Sequence, residues 1–133
     1  MGADKFNGSG CFDETAYKVM RREKRKKRLS LVYICSRYAG DVEKNVDAAK
    51  KYCRFALNQN VVPLAPHLLY PRFMDDSKEQ DMVRTINKVL LGRCDQVWVF
   101  GETISSGMGY ELKLARNFKK PIKYFGEGVF TNA

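Results

Sequence analysis

Apolar positions along the chain alternate between short continuous runs and stripes with helical spacing. The runs LSLVYIC, VVPLAP, DQVWVF and PIKYF are rich in β-branched and aromatic residues, which is typical of buried strands. Between them, the spacing predicts a helix after Asp41, one from about Glu79 to Arg93 and one over residues 107–119. We expect the inward faces of these helices to carry Val42, Val46, Ala49, Cys53, Ala56 and Leu57; Met82, Ile86, Val89 and Leu90; and Met108, Leu112, Ala115 and Phe118.

The order of these elements predicts a parallel sheet. Strands alternate with helices after residue 29, and such alternation is typical of a parallel sheet with helices on its faces. We therefore expect an α/β, Rossmann-like domain over residues 30–133. Residues 1–29 are expected to form an arm and an extra basic N-terminal helix that Asp13 caps and that ends near Arg28. Ligands of such sheets bind beyond the carboxyl ends of the strands. That edge carries the loops CSRYAG, APHLLYPR and GETISSGMG, so we expect the site there.

The composition fits one globular domain without a metal. The chain has 133 residues, of which 44% are hydrophobic. Its longest apolar runs are far shorter than the roughly 20 residues that span a membrane, and no signal peptide is evident. Four cysteines stand far apart without a C-x-x-C pair, and there is one histidine, so we predict no metal site and no cofactor. Reduced thiols are typical of the cytosol, so we expect a cytoplasmic protein.

The positive charge is concentrated in one segment. The net charge is +9, and RREKRKKR at residues 21–28 supplies +6 of it. A protein that binds nucleic acid over its whole surface spreads such charge more evenly. Three interpretations of the segment stay open: a solvated helix end, a contact with nucleic acid or another polyanion, and a localising signal.

The stretch ISSGMGYE joins the third strand to the last helix. The first N–H groups of a helix bind phosphate well, and Ser105 and Ser106 add hydroxyl groups there. Gly107 and Gly109 allow a ligand to approach the backbone closely. Glu111 follows one turn later, where its carboxylate can face what the serines hold. The alternative is a serine cap with a first-turn glutamate, as in a capping box.

The segments VYICS and CDQVWVFGETISSGMGYELKLA resemble the nucleoside 2-deoxyribosyltransferase superfamily, which includes the deoxynucleoside 5′-monophosphate N-glycosidases. The resemblance covers about residues 30–125, and GMGYELKLA is its most specific part. It implies that Glu111 is the nucleophile that attacks the sugar C1′ and that Ser105 holds the 5′-phosphate. It also implies that Tyr33 lies near the sugar and the catalytic carboxylate.

The same resemblance extends to two loops and differs at one helix position. It implies that Ser36 and Arg37 contact phosphate or sugar, and that His67 faces the substrate. The superfamily commonly has an aspartate where this chain has Asn87, whose amide neither accepts nor gives the proton that helps the base depart. The chain is closer still to an uncharacterised branch that is frequent in bacteria and their phages, through VYICSRYAGDVEKNV and PLAPHLLYPRFMDD.

Several candidate residues have structural interpretations as well. Tyr33 is equally suited to the core, Arg37 to a solvated loop, and His67 to a structural role. Trp98 packs in the core or lines the pocket. A further aromatic and apolar group either stacks a base or contacts another subunit: Tyr70, Phe73 and Met74.

The first prediction for function is cleavage of the N-glycosidic bond of a (deoxy)nucleoside 5′-monophosphate. The second is a binding protein without catalysis that sequesters a nucleotide-derived signal, as in phage–host conflict. The third is a nucleic-acid-associated module that uses residues 21–28. Since members of the superfamily assemble as dimers or larger, we also expect a homo-oligomer.

Overall fold

The computed structural model describes residues 28–75 and 77–126. Strands and helices alternate along this part of the chain as β1 (Leu31–Cys35), α1 (Val42–Asn58), β2 (Val62–Leu64), α2 (Gln80–Arg93), β3 (Gln96–Phe100), α3 (Ser106–Asn117) and β4 (Ile122–Phe125). Two short 3₁₀ turns, Pro66–Leu68 and Tyr70–Arg72, lie between β2 and α2, where the sequence predicted a loop. The predicted N-terminal helix and the basic segment as far as residue 27 lie outside the described residues.

The four strands form one parallel sheet in the order β2-β1-β3-β4, which confirms the predicted α/β, Rossmann-like fold. The two central strands pair Ile34 with Trp98 and Cys35 with Val99. Because β1 and β3 are covered on both faces, they are continuously apolar rather than alternating. Their carboxyl ends meet at the same edge of the sheet. None of the helices in the described part of the chain is long and apolar enough to span a bilayer.

Alternate residues of the central strands enter two separate cores. Val32 and Ile34 pack on the side of α1, where Tyr52 stacks on Phe100 with ring centres 4.6 Å apart. Tyr33 and Cys35 face the opposite side, where they pack with buried residues of α2 and α3. This alternation follows from the two-residue period of a strand. It presents the polar groups of Tyr33 and Cys35 to the helix that carries Glu111.

The inward face of α2 differs from the predicted one. Met82 and Val89 are 54% and 50% exposed, while Leu91 is fully buried. Apolar residues occupy more than half of the circumference of this helix, so their spacing alone does not select the face that packs. Similar corrections apply to three predicted core residues of α1 and α3, which are exposed instead: Val42, Leu57 and Phe118. Of the two interpretations of Trp98, packing in the core is confirmed: it is buried, packs against Phe125 and does not line the pocket.

Candidate functional site

A pocket of about 340 Å³ opens at the carboxyl edge of the sheet. The loop after β1, the turns after β2 and the start of α3 all line it, as the order of the elements predicted. One face of α2 forms the remaining wall. Among the described residues, no group of three or more His, Cys, Asp or Glu side chains is placed to hold a metal ion.

Glu111 lines this pocket, and two side chains of β1 contact its carboxyl group. The hydroxyl of Tyr33 donates a hydrogen bond to Glu111 Oε2. The thiol of Cys35 lies 3.7 Å from Glu111 Oε1 and 3.9 Å from the carbonyl oxygen of Met108. Both donors are buried in the core of the sheet. The Glu111 carboxyl group is therefore bonded to core residues on one side, while Glu111 itself lines the pocket.

The surroundings of Glu111 make it titrate near neutrality. Burial raises its pKa from 4.5 to about 7, and the hydrogen bonds from Tyr33 and Cys35 oppose that rise. Burial, together with the neighbouring Glu111, raises the pKa of both Tyr33 and Cys35. The two donors therefore stay protonated while Glu111 changes its charge. A carboxyl group with such a pKa in a pocket is typical of a functional site.

The start of α3 carries a helix cap and leaves the backbone at Gly107 accessible to a ligand. Ser105 is the N-cap residue, and its Oγ accepts a hydrogen bond of 3.3 Å from the backbone N–H of Met108. The predicted serine cap is therefore present, but the first turn of α3 carries no acidic residue, so Glu111 is not part of a capping box. Ser105 also lines the pocket together with Ser106 and Gly107. A Cβ atom added to Gly107 would meet nothing within 4 Å. A ligand can approach the backbone there without obstruction.

The wall formed by the loop after β1 and the turns after β2 is aromatic and neutral. Burial lowers the pKa of His67 from 6.5 to about 4, so its imidazole is uncharged at neutral pH. Its Nε2 lies 3.3 Å from Ser36 Oγ, and its ring centre lies 5.7 Å from that of Tyr38. Tyr70 lines the same side of the pocket. Such a wall suits the flat face of a base or sugar better than a charged group.

The structure brings together most, but not all, of the predicted site residues. Arg37 is exposed and donates a hydrogen bond of 3.3 Å to Thr103 Oγ1, and it does not line the pocket. Gly109 does not line it either; its backbone N–H donates to the carbonyl oxygen of Ser105. The predicted residues that do line the pocket are Tyr33, Ser36, His67, Ser105, Ser106, Gly107 and Glu111.

Three polar residues of α2 were not predicted to belong to the site as a group. Gln80, Arg84 and Asn87 line the pocket and lie three or four residues apart, so they share one face of the helix. The sequence does carry a signal for this polar face: on α2, polar residues recur at helical spacing beside the apolar stripe. The sequence marks Asn87 only as a departure from the superfamily that the chain resembles, and the structure places this residue in the wall of the pocket.

A family model described as "Domain of unknown function (DUF7768)" matches residues 30–125. The match runs from the residue before β1 to the end of β4, so it includes the whole sheet and the pocket. No curated protein matches the chain. The family description names no activity, substrate or partner.

Proposed function

The chain belongs to the DUF7768 family, whose function is unknown, and we propose that it binds a (deoxy)nucleoside 5′-monophosphate and cleaves its N-glycosidic bond. One observation carries the proposal: the Glu111 carboxyl lies in the pocket, hydrogen-bonded by Tyr33, near the start of α3. The resemblance of GMGYELKLA to the nucleoside 2-deoxyribosyltransferase superfamily supports it, because the glutamate of that motif is the nucleophile there.

The proposed reaction has two steps. In the first, ionised Glu111 attacks C1′ of the sugar; the bond from C1′ to the base breaks, and its electron pair leaves with the base, which takes up a proton from solvent. In the second, water attacks C1′ and gives up one proton to solvent; the glycosyl ester bond breaks, and its electron pair restores the carboxylate, as in retaining glycoside hydrolysis. Because the pKa of Glu111 is about 7, the ionised form is well populated near neutral pH.

The remaining walls suit the other parts of this ligand. The start of α3, with Ser105, Ser106 and Gly107, offers hydroxyl and N–H donors to a phosphate. The aromatic wall of Tyr38 and Tyr70 offers a flat surface to the base or the sugar. Glu111 lies in the same pocket as both, so a nucleotide that touches both walls shares the pocket with the carboxylate.

Base release tests the proposal directly. The protein is incubated with a panel of ribo- and deoxyribonucleoside 5′-monophosphates, and free base is followed by chromatography. We expect release by the wild-type protein and a loss of at least about 10³-fold in Glu111→Gln, because the nucleophile is removed. Glu43→Gln is the matched control, since Glu43 is exposed on α1 and outside the pocket. Release that persists in Glu111→Gln would refute the proposed mechanism.

A second function, binding without turnover, is favoured by Asn87. Glu111 is the only carboxyl group among the described residues that line the pocket, and Asn87 stands where the superfamily commonly has an aspartate. A protein of this kind sequesters a nucleotide-derived molecule. Its signature is a rise of Tm with a nucleotide and no free base in the same panel.

A further inference from the structure

Arg84 lies on the α2 wall of the pocket, beside the first turns of α3. Its guanidinium carbon lies 5.7 Å from the ring centre of Tyr110. Tyr110 comes four residues after Ser106, so both occupy one face of α3, and all three residues line the pocket. A guanidinium group that stacks on an aromatic ring keeps its N–H donors available at its edge.

Arg84 is the only permanent positive charge among the described residues that line the pocket. His67 is the other basic side chain there, and it is neutral at pH 7 because burial lowers its pKa to about 4. The ion pairs within the described part of the chain join Arg28 to Asp95 and Lys50 to Asp47, so none of them neutralises Arg84. The charge is therefore free to act on a ligand.

Arg84 lies on α2, whereas the reacting carboxyl lies on α3 and is hydrogen-bonded by Tyr33 and Cys35 of β1. The pKa of Glu111 is governed by its burial and by its hydrogen bonds to Tyr33 and Cys35. Arg84 is thus suited to a different part of the ligand from the sugar C1′. Through Tyr110, Arg84 contacts α3, and the start of that helix favours an anion.

We propose that Arg84 selects phosphorylated ligands by pairing with the 5′-phosphate at Ser105 and Ser106. This inference rests on the proposed function, because it takes a nucleoside 5′-monophosphate as the ligand. The planar guanidinium binds two phosphate oxygens at once, and the helix start completes the anion site with its N–H groups. Arg84 then performs the task that the resemblance implied for Arg37, whose guanidinium lies outside the pocket on Thr103.

Binding measurements in the Glu111→Gln background test this selection without turnover. Isothermal titration calorimetry compares the four deoxyribonucleoside 5′-monophosphates with the four unphosphorylated deoxyribonucleosides. We expect added Arg84→Gln to weaken binding of the monophosphates by about tenfold or more and to leave the nucleosides unchanged. Arg84→Lys should fall between, because it keeps the charge and loses the planar fork. Lys88→Gln is the matched control, one turn further along α2, exposed and outside the pocket.

The outcomes separate this inference from the proposed function. Arg84→Gln that weakens both classes of ligand equally, or neither, overturns the inference. So does a loss of phosphate preference in Arg37→Gln instead of Arg84→Gln. Binding of no compound to the wild-type protein overturns the inference and the proposed function together. Phosphate preference that depends on Arg84, combined with no base release by the wild-type protein, supports the inference and refutes only the catalytic step.

Discussion

Tyr33 and Glu111 are joined by a hydrogen bond although 78 positions separate them in the chain. Tyr33 is completely buried in β1, whereas Glu111 is half-buried on α3 and lines the pocket. The bond therefore connects the packed core of the sheet to the group that would meet a ligand. We therefore expect any change in the core that moves Tyr33 to change the pKa of Glu111.

Tyr33→Phe should raise the pKa of Glu111 above about 7. The substitution keeps the ring and removes the donor that stabilises the ionised carboxylate. We expect the acidic limb of the pH profile of base release to move to higher pH. Loss of the bond should also lower the free energy of unfolding by about 1–3 kcal/mol, as measured in urea. A pH profile that does not move would show that Tyr33 does not control the carboxyl.

Cys35→Ala should also raise the pKa of Glu111. The thiol lies 3.7 Å from Oε1, and its hydrogen bond lowers the pKa of the carboxyl. Cys94→Ala is the matched control, because Cys94 is equally buried in the same core and has no hydrogen bond to Glu111. We expect both variants to lose stability and only Cys35→Ala to shift the titration of Glu111, followed by carboxyl ¹³C NMR. Equal shifts of the Glu111 pKa in the two variants would show that repacking of the core, and not the loss of the thiol hydrogen bond, causes the effect.

Glu111 and His67 should have opposite effects on stability as the pH changes. The folded protein holds the proton of Glu111 up to about pH 7 and the unfolded chain only up to 4.5, so Glu111 makes stability fall as pH rises through that window. The unfolded chain protonates His67 near pH 6.5 and the folded protein only near 4, so His67 makes stability rise between those values. Each effect amounts to about 3 kcal/mol at most, less where solvent reaches the group.

Unfolding in urea at several pH values between about 4.5 and 7 separates these contributions. In the wild-type protein the two slopes should largely cancel. Relative to it, the free energy of unfolding of Glu111→Gln should rise with pH, and that of His67→Gln should fall. Parallel curves for all three proteins would show that neither group changes its pKa on folding.

Gly107→Ala should weaken ligand binding without harming the fold. A Cβ atom at Gly107 or Gly109 meets no atom within 4 Å, and both residues lie in α3. Alanine is favoured over glycine in a helix by up to about 1 kcal/mol, so Tm should stay the same or rise in both variants. Only Gly107 lines the pocket, so only its methyl group should obstruct a nucleotide. Equal effects of the two substitutions on affinity would contradict this placement.

Asn87→Asp should increase base release. It adds a second carboxyl group to the pocket, and general acid–base catalysis by such a group is worth about 10²–10⁴-fold. Asn58→Asp, at the exposed end of α1, controls for the added negative charge. An increase confined to Asn87→Asp would show that the departing base lacks a proton donor in the wild-type protein. No increase would favour the function of binding without turnover.

The sequence predicted the fold because the signals for it are local. The continuous apolar runs of β1 and β3 and the helical stripes between them depend only on neighbouring residues, and the structure confirms their order. The edge that carries the pocket followed from that order, since parallel strands end on one side of their sheet. The serine cap at Ser105 was equally readable, because a cap involves residues three positions apart.

The contacts within the pocket depended on the tertiary structure. Met82 and Val83 are adjacent in sequence, yet the packing of α2 exposes the first and turns the second toward the pocket, which brings Arg84 and Asn87 with it. Cys35 meets Glu111 only because α3 crosses the same face of the sheet. By itself, then, the sequence determined the elements, their order and the binding edge. The rotation of α2 and the partners of Glu111 were decided by tertiary packing, because they depend on contacts between residues far apart in the chain.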